Sequence, residues 1–287
     1  SENFYFFNKI SKNIFNIAVK GTFDDCQNLV KQMFNDNNFR KKINMSGVNS
    51  INWARIIFQI VYYFYSYFKI STDEKINYSV PTGNFGDVYA GYLAKKMGLP
   101  INKLIVSTNE NDILQRVINT GEYKPTKVKP SISPSMDIQI ASNFERLIFD
   151  ALNCDDKAVI SLMNELKDNG NFKLKKETLD YIQRYFSAIK ITDDETSETI
   201  KKIFKKYNFL VDPHTAIGIR AEEKINNKVR TVCLATAHPY KFVETVEKIV
   251  DTKMEIPVQG SFLGPKEKYE ILENDMDTIK KFIESKL

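Results

Sequence analysis

Residues 76–106 constrain the fold more than any other part of the chain. They predict a short strand that ends at Pro81, a turn-rich loop over residues 82–87, a helix over residues 88–97 and then a second strand. Gly98 ends the predicted helix, as a C-terminal glycine commonly does. Strands that alternate with helices in this way indicate an α/β fold, with a mostly parallel sheet and helices on both faces.

The loop between the predicted strand and helix has the composition of an anion site. Gly83 and Gly86 allow the backbone to approach a phosphate closely. A helix N-terminus behind the loop offers unpaired N–H groups and the positive end of the helix dipole. The loop is neither a nucleotide P-loop nor a GxGxxG fingerprint, since neither motif is present. On the two glycines alone, an ordinary strand-to-helix connection is an equally good interpretation.

Longer motifs around this loop resemble a known family. Residues 81–87 read Pro-Thr-Gly-Asn-Phe-Gly-Asp and look like the cofactor-phosphate loop of threonine synthase. That family belongs to the pyridoxal phosphate enzymes related to the tryptophan synthase β subunit. Several family motifs in one order are more specific than any one of them. Further motifs of the family follow at residues 49–55, 108–114, 133–138, 212–216 and 236–239.

The resemblance implies the tryptophan-synthase-β type of pyridoxal phosphate enzyme fold, fold type II. Residues 1–45 would form the last part of a smaller α/β domain, and residues 46–287 would form the large domain that binds pyridoxal 5'-phosphate. The implied activity is that of a carbon–oxygen lyase acting on phosphates. It converts O-phospho-L-homoserine and water to L-threonine and phosphate in threonine biosynthesis.

The resemblance also implies a cofactor site. Backbone N–H groups of the loop would hold the cofactor phosphate, with the carboxylate of Asp87 pointing away from it. Thr236 would hydrogen-bond the pyridine nitrogen, because it follows a predicted buried parallel strand over residues 231–235 and ligands bind at the carboxyl ends of such strands. The predicted cofactor-binding residues are Gly83, Asn84, Phe85, Gly86, Asp87 and Thr236.

A substrate site is expected at the start of a second helix. Residues 51–68 are apolar on nearly all sides and predict a buried helix. Arg55 would then be a buried arginine that needs an anion, and its planar guanidinium suits a phosphate. A structural ion pair with an acidic side chain is the alternative. The resemblance favours the phosphate-binding role and implies that Asn49, Asn52 and Arg55 bind the substrate.

The chain departs from the family pattern at the catalytic group. The family binds its cofactor through a Schiff-base lysine near the start of the chain, followed by a Ser/Thr-Gly-Asp/Asn-Thr-Gly loop, and neither is found here. We therefore predict no catalytic residue in this chain, and expect it to be an inactive C-terminal part of a longer protein. Two alternatives stay open: a threonine-synthase-like phospholyase, and a non-catalytic α/β remnant that acts as a scaffold or partner subunit.

Composition limits the other partners. The net charge of +5 is small for 287 residues, and the basic residues form no stripe with interleaved aromatics, so no nucleic-acid partner is predicted. Polar side chains interrupt the apolar run over residues 51–70, which favours a buried helix over a membrane span. Three cysteines without metal spacing predict no metal site and suit a reducing compartment. We expect a cytoplasmic protein.

Two further regions are read from their local patterns. Residues 155–206 are predicted to form a peripheral layer of amphipathic helices, without chemistry of its own. Asp212 is predicted to cap a helix over residues 215–224. His214 beside that cap is interpreted as a hydrogen-bonded structural residue rather than as an acid or base.

Overall fold

The computed structural model describes residues 13–21, 23–48, 52–70, 73–226, 228–254 and 269–287. Its strands are β1 (Ile17–Val19), β2 (Ile76–Pro81), β3 (Ile101–Thr108), β4 (Glu122–Tyr123), β5 (Phe172–Lys173), β6 (Phe186–Lys190), β7 (Thr231–Cys233) and β8 (Glu270–Leu272). Its helices are α1 (Phe23–Asn35), α2 (Asn37–Lys42), α3 (Trp53–Ile70), α4 (Gly86–Lys96), α5 (Ile113–Thr120), α6 (Phe144–Ala151), α7 (Asp156–Asn169), α8 (Lys176–Tyr185), α9 (Asp193–Tyr207), α10 (Pro213–Ile225), α11 (Val243–Val250) and α12 (Met276–Glu284). Short 3₁₀ turns occupy Pro134–Met136 and Pro239–Phe242.

The described residues divide into two compact units. The smaller unit contains the residues up to Gly47 together with residues 269–287. Its parallel pair β1 and β8 places Ile17 opposite Glu270, and its apolar core includes Phe39 and Ile279. The sequence predicted one domain over residues 46–287, whereas β8 and α12 group with the N-terminal residues because β8 pairs with β1.

The larger unit, Val48–Met254, is built on a parallel sheet with the strand order β6-β3-β2-β7. The central strand β2 is buried along its whole length. It pairs with β3, where Tyr78 lies opposite Leu104, and with β7, where Ser79 lies opposite Cys233. This sheet confirms the predicted α/β class.

Helices cover both faces of this sheet. On one face, Leu104 of β3 belongs to the core cluster that contains Val88 of α4. On the other face, Ile105 packs with Ile217 of α10. Alternate residues of β3 therefore point into two separate cores, as expected for a strand that is buried on both sides.

The prediction that residues 155–206 are only a peripheral helical layer was wrong. This region contains β6, which pairs in parallel with β3 and places Phe186 opposite Leu104. The strand has the short sequence Phe-Ser-Ala-Ile-Lys, and three of its five side chains are only half-buried. An edge strand with mixed polarity lacks the apolar run by which a central parallel strand is recognised.

The prediction of a buried helix over residues 51–68 was also wrong. In α3 only Ile56, Tyr63 and Tyr67 are buried, whereas Phe58 and Phe68 are 72% and 69% exposed. The buried residues form one stripe, which packs toward α4. Apolar residues on the other sides of α3 make the helix hydrophobic, but no neighbouring element of the described chain covers them.

Within the described residues, we find no helix with the length and hydropathy of a membrane span.

Candidate active site

The loop between β2 and α4 lies at the carboxyl edge of the sheet and ends in an unusual backbone conformation. Phe85, the residue that precedes α4, has a left-handed φ of +71°. Its ring is fully buried, at 5.2 Å from the ring of Phe144 and 5.4 Å from that of Phe186. Left-handed backbone is unfavourable for a bulky residue, so this packing is what maintains the turn. The sequence predicted special backbone conformations at the glycines and named Phe85 as a cofactor-binding residue, but it did not predict the left-handed backbone at Phe85.

This turn leaves the N-terminus of α4 without a side-chain cap from Phe85. Asn84 Oδ1 accepts a hydrogen bond from the Gly86 amide at 3.1 Å. The next amides, of Asp87 and Val88, belong to the first turn of the helix, which no intrahelical carbonyl reaches. The positive end of the helix dipole and these amides fit a phosphate group.

Gly83 is required by a close approach of two chain segments. A Cβ atom at this position would lie 3.0 Å from Ile138 Cδ1, 3.2 Å from Met136 Cα and 3.3 Å from Ser135 O. Two of these three neighbours are backbone atoms, which cannot rotate away. The family motif at residues 133–138 therefore lies directly against the loop that contains Gly83.

A buried polar network holds that motif in place. Asp137 Oδ1 accepts hydrogen bonds from Asn109 Nδ2 at 2.7 Å, from Asn111 Nδ2 at 2.9 Å and from Ser131 Oγ at 2.6 Å. Asn109 directly follows β3, so the network ties the carboxyl end of that strand to the segment that packs on Gly83. Asn109, Asn111 and Asp137 belong to the family motifs at residues 108–114 and 133–138, for which the sequence predicted no role, and Ser131 lies outside these motifs.

Asp87 points its carboxylate toward α3. The hydroxyl of Tyr63 donates to the Asp87 backbone oxygen at 2.9 Å and approaches its carboxylate Oδ1 at 3.2 Å. Burial raises the pKa of Asp87 to about 6, and the hydrogen bond from Tyr63 and the positive charge of Arg55 only partly oppose this shift. The carboxylate thus contacts the neighbouring helix, while the amide of Asp87 belongs to the first turn of α4.

The start of α3 carries the predicted substrate-binding residues. Asn52 Oδ1 accepts a hydrogen bond from the Ala54 amide at 3.0 Å and so caps the helix. Arg55 is exposed, and its Nη1 donates to Val48 O at 2.9 Å. The expectation of a buried arginine was wrong, because it rested on the burial of all sides of α3. Asn49 lies outside the described residues.

A second cation that sequence analysis did not single out lies near this region. The guanidinium of Arg146 stacks over the ring of Trp53 at 5.2 Å, and its Nε donates to Asn143 Oδ1 at 3.0 Å. The amide of Asn143 in turn donates to Asn84 O at 3.0 Å. Arg146 is therefore linked to both the loop between β2 and α4 and the start of α3. The one sequence signal for this role of Arg146 is its position three residues after Asn143.

Thr236 follows β7 at the same edge of the sheet. Because Ser79 lies opposite Cys233, the residues that follow β2 and β7 leave the sheet side by side. The prediction of a buried strand over residues 231–235 was wrong in its burial: β7 forms the edge of the described sheet and is half-buried, and Thr236 is exposed. The contact of Thr236 with a pyridine nitrogen stays a prediction.

Comparisons with known proteins identify the family. The family model for the C-terminal region of threonine synthase matches residues 215–283. The threonine synthases of Pseudomonas aeruginosa and Saccharomyces cerevisiae are 42% and 45% identical to this chain over 96% and 82% of its length. A crystal structure of pyridoxal phosphate-bound threonine synthase from Brucella melitensis matches 97% of the chain with a TM-score of 0.87 and 43% identity. The chain belongs to the threonine synthase family.

The chain covers only part of the length of these threonine synthases. The chain spans 60% of the Pseudomonas protein, 50% of the Saccharomyces protein and 61% of the Brucella chain. The yeast threonine synthase structure, at a TM-score of 0.85 and 40% identity, is likewise covered over 61% of its length. These structures confirm the predicted fold, that of fold-type-II pyridoxal phosphate enzymes.

Proposed function

We propose that this chain is part of a pyridoxal phosphate-dependent threonine synthase, which converts O-phospho-L-homoserine and water to L-threonine and phosphate. The observation that carries the proposal is the turn at Phe85, which presents the first-turn amides of α4 at the carboxyl edge of a parallel sheet. In open α/β sheets this edge is where ligands bind. Family membership then identifies the ligand class.

The proposed cofactor site contains the residues named from the sequence. Backbone groups of the loop bind the cofactor phosphate, and Thr236 contacts the ring from the neighbouring strand. Pyridoxal phosphate supplies an electron sink when it is bound, and the protein supplies position and orientation. The carboxylate of Asp87 contacts the hydroxyl of Tyr63, so its negative charge does not face the phosphate. The loop residues of this site are Gly83, Asn84, Phe85, Gly86 and Asp87.

The proposed substrate site lies at the start of α3. Asn49, Asn52 and Arg55 bind the phosphate of O-phospho-L-homoserine, and Arg55 contributes the fixed positive charge. Arg55 is exposed and its Nη1 donates to the carbonyl of Val48, which leaves the rest of the guanidinium available to a ligand. We further propose a cytoplasmic location and a large cofactor domain formed mainly by the unit Val48–Met254.

Substitution of Gly83 tests the cofactor site. Gly83→Val should lower the affinity for pyridoxal phosphate strongly, because its side chain would meet the backbone of Met136 and displace the loop. Lys167→Val is the control, because Lys167 lies at an exposed position of α7. Equilibrium dialysis with pyridoxal phosphate measures both. Equal affinity in the two variants would show that the loop is only a connection.

The reaction is tested in a family-length protein that includes this chain. Phosphate and threonine should form in equal amounts from O-phospho-L-homoserine. Arg55→Lys should raise KM for this substrate while the affinity for pyridoxal phosphate stays unchanged, because lysine keeps the charge but loses the two-pronged guanidinium contact. Phosphate release without threonine would instead indicate a phospholyase.

A further inference from the structure

One buried histidine in the larger unit has a ring nitrogen that the fold does not satisfy. His214 is 3% exposed, and its Nδ1 lies 2.8 Å from Asp212 Oδ1. Among the residues that the structure describes, none provides a hydrogen-bond partner for Nε2. A buried polar atom without a partner is costly, and native proteins normally pair such atoms with protein, water or ligand.

Asp212 determines how the ring is oriented. Its carboxylate is fully buried and accepts hydrogen bonds from the His214 amide at 2.9 Å and from the hydroxyl of Thr215. A carboxylate can only accept, so Nδ1 of His214 carries the proton that it donates to Asp212. In the neutral ring, Nε2 is then a hydrogen-bond acceptor on the side of the ring away from Asp212.

The path of the chain places His214 at the carboxyl edge of the sheet. α10 ends at Ile225, and β7 begins at Thr231 opposite Asn77, the second residue of β2. The C-terminus of α10 therefore lies near the amino edge of the sheet. Its N-terminus, which contains His214, lies at the opposite edge, where β2 runs into the loop that contains Gly83.

Packing shows that His214 shares the sheet-facing side of α10. Residues three and four positions apart lie on one helical face, so His214 is aligned with Ile217 and Gly218. Ile217 packs with Met136, the residue whose Cα lies against Gly83, and Gly218 O accepts a hydrogen bond from Ser79 Oγ at 2.6 Å. The side of the helix that carries His214 thus faces toward the loop between β2 and α4.

The segment that carries Thr236 covers the other side of the ring. The ring of Phe242 lies 4.7 Å from that of His214. Phe242 ends the 3₁₀ turn that follows Thr236 after β7. The ring of His214 therefore packs against the chain segment that leaves the sheet beside the proposed cofactor loop.

We propose that His214 is an additional binding residue of this site, and that its Nε2 accepts a hydrogen bond from an O–H group of bound pyridoxal phosphate. The inference rests on the proposed function, because that function identifies the ligand at the carboxyl edge. Asp212 is the positioning residue, since it fixes the proton on Nδ1 and leaves Nε2 for the ligand. The purely structural role that the sequence suggested would involve Nδ1 alone.

Two substitutions separate these roles because each keeps one end of the imidazole. His214→Asn places an amide N–H near the position of Nδ1 and should keep the bond to Asp212. His214→Gln places its amide near Nε2 and should keep an acceptor for the ligand. We expect His214→Asn to retain the thermal midpoint but to lose about three- to tenfold in affinity for pyridoxal phosphate, the range of one neutral hydrogen bond. His214→Gln should instead lower the thermal midpoint but retain the affinity for pyridoxal phosphate.

Nitrogen NMR of the full chain provides the direct readout. The chain has only two histidines, and the His238→Asn variant assigns the signals of His214. Addition of pyridoxal phosphate should shift the Nε2 resonance of His214, while Nδ1 stays protonated.

The outcomes distinguish this inference from the proposed function. Suppose that pyridoxal phosphate binds and that Gly83→Val abolishes this binding. If the Nε2 resonance of His214 then does not shift and His214→Asn keeps the affinity of the unaltered chain, a water satisfies Nε2. The inference is then overturned, while the cofactor site stands. If the unaltered chain and Gly83→Val both fail to bind pyridoxal phosphate, the proposed cofactor site in this chain is overturned, and the inference with it.

Discussion

Two adjacent helices of the larger unit reverse the usual relation between composition and burial. α3 consists mostly of aromatic and branched apolar residues, yet only three of its side chains are buried. α4 has the sequence Gly-Asp-Val-Tyr-Ala-Gly-Tyr-Leu-Ala-Lys-Lys, and seven of its residues are buried. The two helices pack directly against each other. The less apolar helix is therefore the one that lies inside.

The reason lies in how closely their backbones approach. A Cβ atom at Gly91 of α4 would lie 2.5 Å from Tyr63 Cε1 and 2.8 Å from Leu104 Cδ2. Small residues thus let α4 fit between α3 on one side and the sheet on the other. α3 is the outer layer, and only the stripe of Ile56, Tyr63 and Tyr67 meets α4 and the sheet. Burial depends on neighbours, which the composition of one helix does not reveal.

The strongest test of this comparison uses two consecutive isoleucines of α3. Ile56 is fully buried and Ile57 is 45% exposed. We expect Ile56→Ala to lower the free energy of unfolding by about 2–5 kcal/mol, because it leaves a cavity in the core. The same change at Ile57 should cost about 0.5 kcal/mol or less. Urea unfolding measures both. Equal losses would mean that the outer side of α3 is covered.

The second test concerns the contact between Tyr63 and Asp87. The folded-state pKa of Asp87, about 6, is above the value of about 3.9 expected in the unfolded chain. Between these values the folded state binds more protons, so the stability falls as the pH rises from about 4 to 6. The loss at full ionisation is at most about 3 kcal/mol.

Asp87→Asn should remove this decrease. The measurement is the difference in the free energy of unfolding between pH 4 and pH 7, determined for the variant and for the unaltered chain. Asp168→Asn, at an exposed position of α7, is the control and should leave the difference unchanged. If the free energy of unfolding changed equally with pH in the unaltered chain and in Asp87→Asn, the carboxylate would be in contact with water.

The third test probes the close approach of α4. Gly91→Ala introduces a methyl group against the ring of Tyr63, which packing holds in place. Overpacking costs about 1–3 kcal/mol, and the higher helix propensity of alanine returns about 1 kcal/mol of it. We expect a net loss of up to about 2 kcal/mol in urea unfolding. A gain in stability would show that α3 and α4 separate easily.

Local signals made the region around β2 predictable. Pro81 ends a strand and Gly98 follows a helix through their own backbone preferences, and Asp212 caps α10 as predicted because capping needs only neighbouring amides. The left-handed turn at Phe85 is different, since it depends on Phe144 and Phe186, which are far away in the sequence.

The incorrect predictions share the same cause. β6 was missed because its identity as a strand depends on pairing with β3, and β7 was judged buried because its edge position depends on the strand order. Arg55 was expected to be buried because the outer side of α3 was expected to be covered. In each case the residue pattern was read correctly, but the tertiary neighbours decided the outcome.

The smallest effect on stability is expected on the outer side of α3, where the comparison can be tested without disturbing the fold. Phe58, Tyr62 and Phe68 are 72%, 60% and 69% exposed. Replacing all three by serine should change the free energy of unfolding by about 0.5 kcal/mol or less at each position, because little apolar area moves into water.

The same triple change should have a clear effect on the surface. An apolar patch of this kind binds hydrophobic dyes, so the fluorescence of anilinonaphthalene sulfonate should fall in the triple variant. Lys69→Ser, on the same helix, is the control and should leave the signal unchanged. If dye binding stayed equal while stability dropped sharply, the three side chains would be part of the core and the contrast between α3 and α4 would disappear.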